Sequence, residues 1–499
     1  MARPDKTHAL KPSSGWAALR LVLCTGLAVL LGSTSAPAQV VGPAALTPRI
    51  EALLRTVPAN TQIGLLVTNA DDGVVWFEHH ADRPLKPASV QKLLVSAAAL
   101  ERFGAQFAYQ TRVYLHADSE LWVVGAGDPG LGDERLTERR QARDSDVLAG
   151  WAAELRSRGV KALQKIILDD SIFDQQFRHP DWPVTQADRW YQAPVGGLNI
   201  NDNCVDVRVA LRGRRIEIQT RPALPAELIS QALRIDRRTR ATIRRAADSD
   251  VFELRGTIAG DTALDPVAAR DPTLLFAYAL RQALLADGIE VRGPVVRRQL
   301  SAAELQDGSL VVTHVTGLPD VLWRCNAFSQ NLFAECLLKS LAAYAPDGQP
   351  TGTPGSWSAG QALLTATLAE LGVNLTGATL RDGSGLSHSN LLTARQVVQV
   401  LRAMHRHPQA AVFQASLARP GEPGSMQRRY DDPLLRQRVR GKTGTLAGVR
   451  TLAGYLTRPD GTELAFAVLV NGPGADDLPL KLCRLLADEL VTGTGSRFR

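Results

Sequence analysis

Three short runs in this chain carry side chains that could do covalent chemistry together. Ser89-Val90-Gln91-Lys92 sets a hydroxyl and an amine three positions apart, which on a helix puts both on one face about a turn from each other. A serine hydroxyl attacks a carbonyl well only when a neighbour takes its proton. A lysine can take it only in the neutral form, which at an ordinary pKa near 10.4 costs roughly 4–5 kcal/mol at neutral pH. Burial and a second nearby cation both reduce that cost. Ser329-Gln330-Asn331 offers a hydroxyl able to relay a proton and an amide able to hold a peptide group. Lys442-Thr443-Gly444-Thr445 offers a cation and hydroxyls for a substrate carboxylate, and a glycine past which a ligand backbone can come close. Lys442 is also the candidate second cation for Lys92.

Each run alone is weak; their order, S-x-x-K, then S-x-N, then K-T-G, is not. Competing motifs fail on single residues. Gly441-Lys442-Thr443 mimics the end of a phosphate-binding loop, but Arg436 stands where that loop needs its first glycine. Asp382 likewise replaces the first glycine of a G-x-S-x-G elbow around Ser384. Ser384 and Ser387 fall in a Gly-rich stretch read here as a flexible loop, and are the alternative nucleophiles. No H-E-x-x-H is present.

The elements that must hold these residues follow from periodicity and turn signals. A short helix is predicted over 47–55, strands over 63–68 and 73–78, and a helix from Ser89 to about Arg102. The middle of the chain predicts short strands at 164–168, 205–211, 251–258 and 310–315 with helices near 144–158 and 272–287. Helices are predicted again at 327–343, 357–371 and 394–405, then strands at 449–456 and 463–470 and a helix over 477–491. Strands and a helix at both ends suggest one domain split by an insertion. The Arg-rich run 234–245 reads as a solvated face.

Basic residues Arg3, Lys6, Lys11 and Arg20 precede an apolar run of 12 residues, Leu21–Gly32, and Ala36-Pro37-Ala38 fits a signal-peptidase site. The run is shorter than the roughly 20 residues of a membrane span. We therefore expect a signal peptide over residues 1–38, a mature chain starting near Gln39, and an exported, periplasmic protein, soluble or peripheral. Losing four basic residues and one acidic one lowers the net charge from +7 to +4, too mild and dispersed for nucleic acid. At 499 residues, 45% hydrophobic and 21% charged, the chain is of ordinary globular composition. Cys204, Cys325, Cys336 and Cys483 lack zinc-site spacing; disulfides and buried thiols both remain open.

The trio resembles that of the D-alanyl-D-alanine carboxypeptidase/endopeptidases, the class C low-molecular-mass penicillin-binding proteins of the penicillin-binding protein 4 type. Gly127-Asp128-Pro129, Tyr191-Gln192-Ala193-Pro194 through Asn201-Asp202-Asn203, and Asp382-Gly383-Ser384-Gly385-Leu386-Ser387 resemble further blocks of that family. Gln330 departs from its usual Asp. The resemblance implies an α/β serine DD-peptidase/β-lactamase-like transpeptidase domain formed by residues 39–115 and 316–499. Two small β-rich domains would be inserted over 116–315, which accounts for the 237 positions between Lys92 and Ser329.

It implies Ser89 as nucleophile, Lys92 as base, Ser329 and Asn331 in proton transfer and substrate holding, and Lys442, Thr443, Gly444 and Thr445 at the substrate carboxylate. The backbone N–H groups of Ser89 and Thr445 would form the oxyanion hole. Peptidoglycan stem peptides and cross-linked muropeptides, including D-Ala–diaminopimelate links, are the implied substrates, and β-lactams the covalent inhibitors; no metal or cofactor is implied. Asp188, with Asp181, is a candidate for a cationic substrate amine in the Asp/Trp/Tyr-rich segment 174–191, which otherwise reads as a surface loop anchored by Trp182 and Trp190. The alternatives are a β-lactamase and a non-catalytic muropeptide-binding protein. Neither Glu335 nor Glu370 fits the E-x-x-L-N block of a class A β-lactamase, and Ser329 stands where a class C β-lactamase has Tyr.

Overall fold

The two ends of the chain meet in one antiparallel sheet. Its strands lie in the order Val439–Leu446, Val449–Thr457, Glu463–Asn471, Gln62–Asn69, Val75–His79. Gln62 pairs with Asn471 and Asn69 with Leu464, without a break between. The strand interiors are buried on both faces, and their period-2 alternation divides them between two cores. Leu66, Ala467 and Leu469 pack with the helices Lys92–Phe103 and Ala394–His405, while Leu65, Val67, Val468 and Val470 pack with Leu46–Leu54 and Leu478–Ala487. The computed structural model describes residues 46–117, 119–141, 146–474 and 476–488. The signal peptide expected over residues 1–38 lies outside them. Among the described residues no helix is long and apolar enough to cross a membrane.

A second five-stranded sheet runs Val295–Arg297, Lys165–Asp169, Glu120–Val124, Ala108–His116, Ser309–Gly317. The chain enters the intervening segment on Ala108–His116 and returns beside it on Ser309–Gly317, with Gly317 opposite Ala108. Ala108–His116 and Glu120–Val124 were not among the expected strands, although the first begins with alternating burial. Between the two crossings lie a three-stranded sheet, Thr242–Arg245, Phe252–Ile258 and Ile229–Ile235, and a four-stranded one on Cys204–Arg212; these share one core with the second five-stranded sheet, through Val113, Leu121, Val123 and Ile166. The Arg234–Arg245 run is exposed as expected except at its end. Arg245 is buried, donating to the carbonyls of Ala268, Ala187 and Ser249.

Two expectations are corrected. The helix predicted over 327–343 begins four residues later, as Asn331–Ala343, and a separate helix, Leu318–Asn326, precedes it. Ser329 turns the chain between them with a φ of +62°, and the Gln330 side chain accepts from the Asn331 N–H at 3.0 Å, starting the second helix there. The Gly-rich stretch around Ser384 and Ser387 is no flexible surface loop: both serines are buried, for reasons given below. Cys204, Cys325, Cys336 and Cys483 are buried free thiols.

Candidate active site

Ser89 sits in a single turn of 3₁₀ helix, Ala88–Gln91, that feeds directly into the α-helix Lys92–Phe103. Thr451 on the second strand of the sheet donates to the Pro87 carbonyl at 2.8 Å and ties this turn down. Lys92 is completely buried. Its amine donates to Ser89 Oγ at 3.1 Å, to Asn331 Oδ1 at 2.7 Å and to the Ser384 carbonyl at 2.8 Å. Burial pushes its pKa down to about 8, against the pull of Cys325, Glu335 and Asp382.

The other two runs close on the same place. Asn331, first residue of its helix, also donates its amide to the Tyr191 carbonyl at 2.7 Å. Lys442 lies on the edge strand, its amine wholly buried, donating to Ser329 Oγ at 2.8 Å and to the Thr443 carbonyl at 2.7 Å. Burial drives its pKa well down, and the Lys92 charge adds to the effect. The two buried amines are thus close enough for a charge on Lys92 to disfavour one on Lys442. Thr443 is half-buried and Thr445 exposed, so these hydroxyls are the open groups of the run. A Cβ on Gly444 would strike Thr451 Oγ1 and come within 2.9 Å of the Ser89 backbone nitrogen, so only glycine lets the strand pass this close to the serine turn.

Behind Lys92 lies a buried network that sequence reasoning passed over. Asp382 accepts from the backbone N–H groups of Gly385 (2.8 Å) and Ser387 (2.7 Å), from Asn390 Nδ2 (2.9 Å) and from Trp182 Nε1 (2.9 Å). Glu335 accepts from the N–H groups of Gly383 (2.9 Å) and Ser384 (2.8 Å) and from Trp357 Nε1 (2.8 Å). Gln91, between Ser89 and Lys92, donates to the Asp382 carbonyl and to Asn390 Oδ1. Gly385 adopts a φ of +80° and packs on the Ala88 carbonyl, where a Cβ would not fit. Seven donors on two carboxylates thus fix the stretch that the sequence suggested was loose.

The family described as the D-Ala-D-Ala carboxypeptidase 3 (S13) family matches residues 46–485. This chain belongs to that family. It is similar to a D-alanyl-D-alanine carboxypeptidase of Actinomadura sp. (strain R39), 30% identical over 475 residues that cover 89% of this chain and 84% of the relative. The D-alanyl-D-alanine carboxypeptidase DacB of Haemophilus influenzae is 24% identical, over 87% of this chain and 90% of its own. The crystal structure of penicillin binding protein 4 (dacB) from Haemophilus influenzae superposes with a TM-score of 0.71 at 24% identity, covering 89% of this chain and 99% of that one. The fold is accordingly the mixed α/β fold expected. The chain is a serine-type D-alanyl-D-alanine carboxypeptidase, and the family match supports neither alternative reading.

In this carboxypeptidase the Asp-rich segment 174–191 is committed to the protein itself. Asp188 pairs with Arg244 at 3.4 Å and Arg189 at 3.8 Å, on a cavity of about 370 Å³ that Trp190 and Tyr191 also line. Asp181 pairs with Arg381 at 3.0 Å and accepts from Ser387 Oγ at 2.8 Å. Trp182 anchors the segment through Asp382, whereas Trp190 is 43% exposed and anchors nothing by burial. Of the candidate residues, Ser89, Lys92, Asn331, Ser329 and Lys442 are joined by direct hydrogen bonds in two groups. Asp188 joins neither. Among the described residues no group of three or more His, Cys, Asp or Glu side chains is placed to hold a metal.

Proposed function

We propose that Ser89 is the nucleophile of this carboxypeptidase and Lys92 its general base, acting on the carbonyl of the penultimate D-Ala of peptidoglycan stem peptides. One observation carries the reading. A neutral amine has two N–H bonds and one lone pair, and Lys92 has three neighbours. Asn331 Oδ1 and the Ser384 carbonyl can only accept, so they take the two N–H bonds and leave the lone pair toward Ser89 Oγ at 3.1 Å. Lys92 then takes the serine proton as Oγ attacks, and the oxyanion forms beside the N–H groups of Ser89 and Thr445, where losing one donor costs roughly 3–4 kcal/mol. Ser329, whose oxygen already accepts from Lys442, gives its own hydrogen to the leaving amine and takes in its place the proton that Lys92 carries, so that Lys92 is neutral again. Water later releases the acyl group, with Lys92 as base again.

Thr443, Thr445 and, through Ser329, Lys442 serve the substrate carboxylate in this reading, and Gly444 lets the peptide lie along the edge strand. Cross-linked muropeptides with D-Ala–diaminopimelate bonds are substrates on the same terms, and β-lactams acylate Ser89. Asp188 is a secondary candidate for a cationic substrate group; the cavity with Trp190 and Tyr191 supports it, and its two arginine partners weaken it. Residues 39–115 and 316–499 form the peptidase domain, 116–315 the inserted β-rich domains, and the chain acts after export to the periplasm. Ser89→Ala is expected to abolish both D-Ala release and covalent penicillin labelling while leaving the circular-dichroism spectrum unchanged. Labelling that persists at Ser384 or Ser387 would overturn the assignment.

A further inference from the structure

Glu335 lies one turn beyond Asn331 on the same helix, fully buried among Leu332, Phe333, Ala334, Cys336, Leu337 and Leu338. A carboxylate is retained in such surroundings only when its oxygens are satisfied, and here the satisfying groups lead straight to the lysine. The Ser384 N–H donates to Glu335 at 2.8 Å, and the carbonyl of the same residue accepts from Lys92 at 2.8 Å. The other acceptor of Lys92, Asn331, is four residues earlier on the Glu335 helix. Both groups that orient the amine are therefore set by one helix.

We propose that Glu335 is a positioning residue for acylation: its carboxylate holds the Gly383–Ser384 backbone so that the Ser384 carbonyl aims the Lys92 amine at Ser89. This rests on Lys92 being the base. Burial, and then the Asp382 charge, push the Glu335 pKa up to about 7, so above that pH the carboxylate has a second effect through its charge. The groups facing Lys92 are Ser89 on its own turn, Cys325 and Asn331 on the two helices around the Ser329 turn, Lys442 on the edge strand, and the carboxylates of Glu335 and Asp382. Burial disfavours a proton on Lys92, and the two carboxylates favour it. Glu335 thus keeps the amine oriented and sets the pH at which it becomes a base.

Glu335→Gln separates this role from simple filling of the core. The glutamine has the same shape, and its oxygen can serve Gly383 and Trp357. Its NH₂ group then faces the Ser384 N–H, and the negative charge is gone. Acylation by a fluorescent penicillin is expected to fall by about 10–100-fold at its high-pH plateau, and its acidic limb to move to lower pH by about one unit. Glu335→Asp, which keeps the charge but shortens the reach, should lower the plateau and leave the limb where it was. A slower Glu335→Gln enzyme with its limb unmoved overturns the proposal. Should Glu335→Gln not fold, Trp357→Phe removes one donor from the same carboxylate; the limb must move in the same direction, and an unmoved limb again overturns it. Failure of the underlying reading looks different: Lys92→Ala would still be acylated, with the limb of the unsubstituted enzyme.

Discussion

Lys442 donates to the hydroxyl of Ser329 across 2.8 Å, from an edge strand to a turn 113 residues earlier. The lysine therefore reaches the cleft through the half-buried Ser329, since its own amine is wholly buried. Removing it should both unsettle Ser329 and weaken the hold on a substrate carboxylate. Amidation of the substrate's terminal carboxyl is expected to slow D-Ala release at least about tenfold in the unsubstituted enzyme and far less in Lys442→Ala. Equal losses in the two would confine Lys442 to Ser329 and Lys92.

Acylation should follow the neutral form of Lys92. With the amine held near a pKa of about 8 by burial, the rate of penicillin labelling is expected to climb as pH rises through that value. Stability carries the same signature. Between about 8 and the ordinary 10.5 the unfolded chain binds more protons at this position than the folded one, so its contribution to stability grows with pH across that window. Urea unfolding at a series of pH values should show a rise there that is smaller in Lys92→Met, the remainder belonging to Lys442.

The penicilloyl adduct on Ser89 should be long-lived. Clearing it quickly needs a dedicated water-activating base besides Lys92, and Glu335, the buried carboxylate on the Asn331 helix, is already held by Gly383, Ser384 and Trp357. Intact-mass spectrometry after one equivalent of penicillin should show the added mass retained for many minutes. Quick return to the unmodified mass, with penicillin consumed in excess, would contradict this.

Lys339 ends the polar stripe that Asn331 and Glu335 begin. It is fully buried, donates to Asp174 at 2.6 Å and to the Gln176 carbonyl at 2.8 Å, and lies 4.0 Å over the Trp357 ring. Asp174→Ala leaves this cation without its counter-charge. Because Asp174 is 30% exposed, water can enter in its place, and we expect a loss of about 2–4 kcal/mol in urea unfolding. A change within experimental error would mean that Gln176 and Trp357 suffice.

What spacing encodes was legible in the sequence. Ser89 and Lys92 are three apart on a helical turn, and Lys442 and Gly444 alternate on a strand, so local geometry alone puts each set on a common face. The helix Ala394–His405 fell where the period predicted it. The network behind Lys92 was not legible, because it joins backbone groups to side chains across long separations, 49 residues for Ser384 to Glu335 and 140 for Asn331 to Tyr191. A signal existed all the same: Glu335 and Lys339 are charged residues in an otherwise apolar helix, which buried chains keep only when paired. The start of the second helix at Asn331 rather than 327 turns on the Gln330 cap, which apolar periodicity does not encode.

The pairing of Gln62–Asn69 with Glu463–Asn471 also governs when the enzyme comes into being. During synthesis the first strand waits for roughly 400 further residues before its partner exists, a separation of the kind that makes folding slow. Ser89 and Lys92 are made early. The strand that carries Gly444 past the serine turn and the Thr451 that ties down Pro87 are made late. A chain stopped between residues 92 and 439 holds both members of the first motif but lacks the strand and the threonine that close over the serine turn.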